Sequence, residues 1–169
     1  MKSIRWMFAA TVVLAATVGV AQTSGQKSFD AVKLLAGSWQ GTASDGQPVQ
    51  VSYRSTASGS ALLSEIVGHH GDMITMFHMD GDRFLMTHYC DAGNQPRMVG
   101  TASPDGKSVS FEFLDATNLA GPKAGHMQHV VFTIVDANHH TEEWTFLKDG
   151  KEMRERFDLQ RAPAAQAKL

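Results

Sequence analysis

Two side chains able to bind a metal or activate a nucleophile lie close together, at His88 and Cys90. Residues 83–90 form a short, largely apolar block after an Asp-Gly turn, which predicts a β-strand, and residues two apart on a strand point to the same face. A neutral imidazole and a thiolate on one face can hold a soft metal ion, ligate haem iron, or act as an activated thiol. The alternative is a buried cysteine that packs as a small apolar group beside a hydrogen-bonded histidine. Both interpretations remain open.

A second polar group, Asn94 and Arg97, follows at the start of the next predicted strand. Amide groups and the planar guanidinium fork suit a carboxylate or another polar headgroup. In the alternative, Asn94 stabilises a turn and Arg97 pairs with a surface acid such as Asp91. His126 ends a long connection over residues 115–126, and we expect it to reach over the mouth of a pocket.

Glu142 and Trp144 share one face of a later predicted strand, whereas Glu143 lies on the opposite face. An inward carboxylate at Glu142 would act as an acid, a base or an arginine partner. The alternative is an exposed glutamate beside a tryptophan of the core. We therefore include Glu142 and Trp144 among the candidate ligand-binding residues.

Six of the eight histidines form sequence pairs that look like metal ligands, at 69 and 70, 126 and 129, and 139 and 140. Adjacent residues on a strand face opposite sides, and a spacing of three does the same, so no pair is expected to chelate from a regular strand. We interpret residues 69–70 and 139–140 as solvated turn histidines. The metal ligands, if the protein binds one, are expected among His88, Cys90 and His126, and no cofactor is required.

The pattern of polar and apolar residues predicts one short helix followed only by strands. Ser28 is a candidate N-cap and Gly37 a candidate C-terminal glycine for the helix. Asp-Gly pairs at 45–46, 80–81, 105–106 and 149–150 are typical of hairpin turns. Ten strands are expected, at residues 39–43, 48–56, 61–67, 73–79, 83–90, 96–101, 108–114, 127–135, 141–148 and 151–159.

These elements predict a mainly β protein: a single antiparallel up-and-down barrel of about ten strands with a short N-terminal helix. Closure removes exposed strand edges, and a barrel of this size has room for a ligand. A two-sheet sandwich is the competing fold, but its longer crossovers fit the short turns poorly. The barrel is expected over residues 28–161, after a flexible leader at 22–27 and before a flexible tail at 162–169.

The first 21 residues have the pattern of a cleaved signal peptide. Lys2 and Arg5 precede an uncharged apolar run that ends in the small residues Gly19 and Ala21. A permanent membrane anchor would need about 20 apolar residues, and this run is shorter. We therefore expect an exported protein, periplasmic or secreted, with no integral membrane association after cleavage.

The junction between helix and first strand carries Gly37 and Trp39, and this Gly-x-Trp resembles the opening of calycin proteins: lipocalins, fatty-acid-binding proteins and nitrobindin-like haem proteins. The longer runs 76–83, 87–98, 113–119 and 141–144 resemble a family of exported bacterial lipocalin-like proteins of uncharacterised function. The resemblance covers nearly all of residues 29–161. It implies a barrel with a pocket, and its nitrobindin-like side implies haem as one ligand.

Together these observations predict a binding protein that holds a small hydrophobic or amphipathic ligand inside its barrel. His88, Cys90, Asn94, Arg97, His126, Glu142 and Trp144 are the expected ligand-binding residues. A haem- or metal-binding barrel using His88 or His126 is the alternative, and a barrel enzyme with His/Glu proton-transfer chemistry is the third. The net charge of -2 disfavours nucleic acid as a partner. The common nucleotide-binding and hydrolase motifs are absent from the sequence.

Overall fold

The computed structural model describes residues 22–163, and within them one α-helix and ten strands form a closed barrel. The helix α1 spans Ser24–Lys33. The strands in chain order are β1 Gly37–Ala43, β2 Pro48–Thr56, β3 Ala61–Gly68, β4 Gly71–Asp80, β5 Arg83–Tyr89, β6 Gln95–Ala102, β7 Ser108–Thr117, β8 His126–Asp136, β9 His139–Lys148 and β10 Lys151–Arg161. The predicted signal peptide and residues 164–169 of the predicted tail lie outside the described residues.

All neighbouring strands pair antiparallel, and β1 also pairs with β10. The up-and-down barrel predicted from the sequence is therefore confirmed. The four Asp-Gly pairs form the expected hairpin turns, and their glycines take positive φ angles of 58° to 85°. Among the described residues, no helix has the length and apolar character needed to cross a membrane.

Helix α1 begins earlier than predicted. Its N-cap is Thr23, whose hydroxyl accepts a hydrogen bond of 3.2 Å from the backbone N–H of Gln26. Ser28, the predicted cap, is buried within the helix, and its hydroxyl accepts from a backbone N–H of β6. Gly37 begins β1 rather than ending the helix. Most of the predicted flexible leader is therefore helical.

The helix closes one end of the barrel, where the first and last strands meet. The indole N–H of Trp39 donates to the carbonyl of Leu35 at 2.7 Å. The guanidinium of Arg161 lies over the Trp39 ring and donates to the carbonyl of Ala36 at 2.9 Å. These contacts join the segment between α1 and β1 to strands β1 and β10, so we call this the closed end.

Aromatic side chains fill the interior next to the closed end. Gly100 leaves space between the rings of Phe84 and Phe111, because a Cβ atom there would come within 2.7 Å of both. The rings in this cluster belong to Phe29, Phe77, Phe84, Phe111 and Phe132. The opposite end, here called the far end, carries the turns β1–β2, β3–β4, β5–β6 and β9–β10 and the longer β7–β8 connection.

Candidate functional site

A row of polar side chains crosses the interior wall formed by strands β2 to β5. Tyr53 is paired with Ser64, Ser64 with Thr75, and Thr75 with His88. Directly paired residues share one face of a sheet. All four are buried, so this polar row faces the barrel interior.

Glu142 on β9 reaches this polar row and is itself fully buried. Its carboxylate accepts hydrogen bonds from the Tyr53 hydroxyl, from Nε1 of Trp144 at 2.9 Å and from Nε2 of His140 at 3.2 Å. Three donors aimed at one side chain complement a carboxylate, which can only accept. Burial first, and then the charge of Glu142, raises the pKa of Tyr53 well above its usual value, so its hydroxyl stays protonated and donates.

His88 is held neutral by burial next to Thr75 and Trp144. Burial lowers the pKa of His88 from 6.5 to about 4, although the charge of Asp91 acts weakly in the opposite direction. Its Nδ1 lies 2.9 Å from the Thr75 hydroxyl, and its ring centroid lies 4.9 Å from that of Trp144. Within residues 22–163, Nε2 of His88 has no hydrogen-bond partner.

His140 presents a second nitrogen of the same kind. Because its Nε2 faces a carboxylate, that atom carries the proton, and in the neutral ring Nδ1 is an acceptor. This Nδ1 is buried and finds no partner in the described part of the chain. We call the whole group the interior cluster: Tyr53, Ser64, Thr75, His88, His140, Glu142 and Trp144.

Cys90 and Asn94 lie at the far end, beyond the interior cluster. The Cys90 thiol donates to Oδ1 of Asp91 at 3.3 Å, and burial is the first cause that raises its pKa to about 11. The group is therefore a thiol at neutral pH, and a thiol is a much weaker nucleophile than a thiolate. Asn94 donates from Nδ2 to the carbonyl of Gly125 at 2.8 Å, which fastens the β7–β8 connection to the β5–β6 turn.

The buried thiol predicts slow alkylation. At pH 8 we expect iodoacetamide to modify native Cys90 about a hundredfold more slowly than a thiol with the ordinary pKa, because two pKa units separate them. The same chain in 8 M urea serves as the control, since unfolding restores an ordinary thiol. Mass spectrometry of timed samples measures both rates. Equal rates in the folded and unfolded chains would contradict the buried, protonated thiol.

His126 also lies at the far end, but both of its ring nitrogens are engaged. Nδ1 lies 2.9 Å from the carbonyl of Ala124, and Nε2 lies 3.1 Å from Oε1 of Gln128. The ring packs against Phe113, with centroids 4.5 Å apart. His126 therefore holds the end of the β7–β8 connection in place.

Arg97 faces away from the interior. Strand alternation buries its neighbour Met98 and places the guanidinium on the outer face, where it forms an ion pair with Asp115 and is about half exposed. The sequence interpretation in which Arg97 pairs with a surface acid thus matches the structure, with Asp115 in place of Asp91. Of the seven sequence candidates, the structure brings only His88, Glu142 and Trp144 together.

Four members of the interior cluster were missed by the sequence analysis. Tyr53, Ser64 and Thr75 occupy inward positions on strands whose other inward residues are apolar. A polar residue within an otherwise apolar strand face was the sequence feature that could have indicated them. His140 was predicted to be a solvated turn residue, which is wrong: it lies within β9 and is fully buried. Strand β9 begins at His139, two residues before the predicted start at 141, so neither histidine lies in the turn.

A broad depression of about 680 Å³ lies elsewhere, on the outer face of β1 to β4. Gln40, Gln50, Glu65 and Asp72 are among its polar lining residues. The wall of the barrel separates it from the interior cluster, so the two are distinct features.

The fold and the interior cluster define the chain as a closed, ten-stranded antiparallel barrel with a polar interior site. No protein family model matches the chain, and no curated protein matches it. Rv2717c from M. tuberculosis has a similar structure, with a TM-score of 0.56 and 16% identity over 80% of this chain and 98% of that one. A protein of unknown function from the DUF3598 family of Nostoc punctiforme has a TM-score of 0.55 and 11% identity over 78% of this chain. The match spans about half of that protein's length, 49%. These likenesses concern the fold alone.

Proposed function

We propose that the barrel binds a small amphipathic molecule in its interior, with the polar end of the molecule at the interior cluster. The observation that carries this proposal is the pair of buried nitrogens, Nε2 of His88 and Nδ1 of His140, that have no partner among the described residues. Leaving a buried polar atom unpaired costs about 1–3 kcal/mol, and a functional site is one reason for a protein to retain it. The apolar wall around the cluster would contact the rest of the ligand.

The hydrogen bonds within the cluster favour a neutral ligand. The Glu142 carboxylate is already surrounded by three donors, and its negative charge opposes a second carboxylate in the same buried space. In the uncharged tautomer that donates from Nε2 to Glu142, Nδ1 of His140 is an acceptor and would pair with an O–H or N–H group of the ligand. A hydroxyl group both donates and accepts and therefore suits either imidazole. We expect an alcohol, a phenol or an amide at this end of the molecule.

Access to the cluster runs through the far end. The interior cluster is buried, and α1 with its aromatic cluster fills the opposite end. Residues 118–125 connect β7 to β8 here and are fastened by two hydrogen bonds, from Asn94 to Gly125 and from Asn118 to Gly93. Release of these two bonds would open a path between the connection and the β5–β6 turn.

Haem or metal binding through His88 is a second candidate function. Its support is specific: the ring is neutral near pH 7 and its Nε2 is unpartnered in the described chain, as an iron or metal ligand must be. His126, the other sequence candidate, has both nitrogens engaged and is less suited. A haemin titration followed at the Soret band tests this candidate. A Soret shift in His88→Ala equal to that of the wild type would contradict it.

We also propose, from the sequence, that the protein is exported and is related to calycin proteins. A protein of this kind would hold its ligand in the periplasm or outside the cell. The acidic balance of the chain argues against nucleic acid as the partner.

Two measurements on the mature chain, residues 22–169, test the proposal. Solvent extraction and mass spectrometry identify molecules that co-purify with the protein. Each identified molecule, and separately each member of a fragment library, is then added to ¹⁵N-labelled protein. We expect a ligand to shift the indole N–H signal of Trp144, which donates to Glu142. The signal of Trp39, which donates to a backbone carbonyl at the closed end, is the internal control.

The matched variants are His88→Phe, within the cluster, and His129→Phe, on a half-exposed position of β8. We expect the first to weaken binding at least about tenfold and the second to leave it unchanged. The proposal would be contradicted if no compound co-purifies with the protein and no fragment shifts the Trp144 signal. A ligand that is chemically altered during incubation would instead point to the enzyme interpretation.

A further inference from the structure

The β3–β4 turn at the far end places two histidine rings in contact. Strand β3 ends at Gly68 and β4 begins at Gly71, so His69 and His70 are the two turn residues. Strand alternation does not apply inside a turn, and the two ring centroids lie 3.8 Å apart. The prediction that residues 69–70 are partly exposed turn histidines is confirmed, and the argument against chelation from a regular strand does not apply to them.

Two carboxylates from other parts of the barrel approach these rings. Oε2 of Glu155 on β10 lies 3.6 Å from Nε2 of His70, and Oδ2 of Asp45 in the β1–β2 turn lies 3.0 Å from Nε2 of His69. One ligand atom from each of His69, His70 and Glu155 lies within 4.8 Å of the other two. Three chain segments, separate in sequence, thus converge on one point.

We propose that His69, His70 and Glu155 form a binding site for a divalent transition-metal ion of the zinc class. Two imidazoles and one carboxylate are a ligand set that zinc sites use, with a fourth position for water or another side chain. Asp45 lies where its carboxylate can accept a hydrogen bond from Nε2 of His69 and so orient that ring. This site is separate from the interior cluster and does not depend on the ligand proposed above.

The spacing of the ligand atoms permits the ion to bind after a small adjustment. A tetrahedral ion with bonds of about 2.0–2.1 Å holds its ligand atoms about 3.4 Å apart. The side chains here must therefore close by up to about 1.4 Å from separations of up to 4.8 Å. Their partial exposure allows this, since the His70 side chain is 54% exposed and that of Glu155 is 24% exposed.

The local charge also favours a cation. Glu155 shares a strand face with the buried Phe157, whereas the flanking Arg154 and Arg156 point to the other face and pair with glutamates there. The small cavity of about 10 Å³ beneath the histidines has no lysine or arginine among its described lining residues. Two carboxylates and two neutral imidazoles would thus balance a double positive charge.

Zinc titration of the untagged mature chain tests this site. Isothermal titration calorimetry with Zn²⁺ alone is expected to show one ion per chain, and His70→Ala and Glu155→Gln are each expected to weaken binding by about tenfold or more. His129→Ala is the matched control, because His129 forms a comparable pair with Glu112 at 2.9 Å but has no second histidine beside it. Cys90→Ser controls for the thiol.

Thermal unfolding of the same variants provides a second readout. At one fixed Zn²⁺ concentration we expect a larger rise in Tm for the wild type and both controls than for His70→Ala or Glu155→Gln. Absence of saturable binding at one ion per chain would overturn the proposal. Equal affinity in wild type and His70→Ala would do the same, since the ion would then be bound elsewhere.

Discussion

Replacement of Glu142 by alanine is expected to destabilise the protein by about 3–5 kcal/mol, because it leaves three buried donors without their acceptor. The Tyr53 hydroxyl, the Trp144 indole and the His140 imidazole all point at this carboxylate inside the barrel. Water can replace only part of these bonds in a buried space. Urea unfolding followed by circular dichroism measures the loss as a change in the free energy of unfolding.

The neighbouring glutamate gives a matched control. Glu143 lies on the outer face, is about half exposed, and pairs with Arg156. Its replacement by alanine is expected to change the free energy of unfolding by less than about 1 kcal/mol. Glu142→Gln retains one acceptor oxygen and is expected to fall between the two. Equal effects at 142 and 143 would contradict the buried hydrogen-bond network.

Acid is expected to destabilise the protein through His88. Its pKa is 6.5 when exposed and about 4 in the folded protein, because burial disfavours the charged ring. Below pH 6.5 the unfolded chain therefore binds a proton that the folded chain does not. Stability from this residue is complete above about pH 6.5 and is lost as the pH falls to about 4, by up to about 3 kcal/mol.

The variant His88→Gln isolates this contribution from that of the carboxylates. Urea unfolding at pH 4, 5, 6 and 7 is expected to show that the difference in stability between wild type and variant shrinks or reverses toward low pH. His129→Gln, at a half-exposed position of β8, is the control and should follow the wild type. A difference between wild type and His88→Gln that stays constant with pH would show that the ring is not held neutral by burial.

The fold was predictable because its determinants are local. Asp-Gly pairs specify the tight turns, and polarity of period two specifies the strands between them, so strand number, connectivity and closure follow. The helix boundary was missed because Thr23 and Ser28 are both acceptable caps. The choice between them rests on Ser28 accepting a hydrogen bond from β6, which is a tertiary contact.

The interior site was only partly predictable, since it depends on which strands become neighbours. Glu142 and Trp144 were found because alternation within one strand is visible in the sequence. The contact between Glu142 and Tyr53 joins residues 89 positions apart, and no local pattern indicates it. The metal site proposed at His69, His70 and Glu155 was missed for a different reason: the two histidines were expected in a turn, but the approach of Glu155 from β10 is a tertiary contact that no local pattern indicates.

Ligand binding at the interior cluster is tested most directly by a high-resolution crystal structure of residues 22–169, purified without added ligand. We expect electron density larger than a water molecule within hydrogen-bond distance of Nε2 of His88 or Nδ1 of His140. This expectation would be contradicted if both nitrogens contacted only ordered water or protein side chains, with the remaining interior filled. In that case the interior cluster would be part of the core, and the search for function would move to the outer surface.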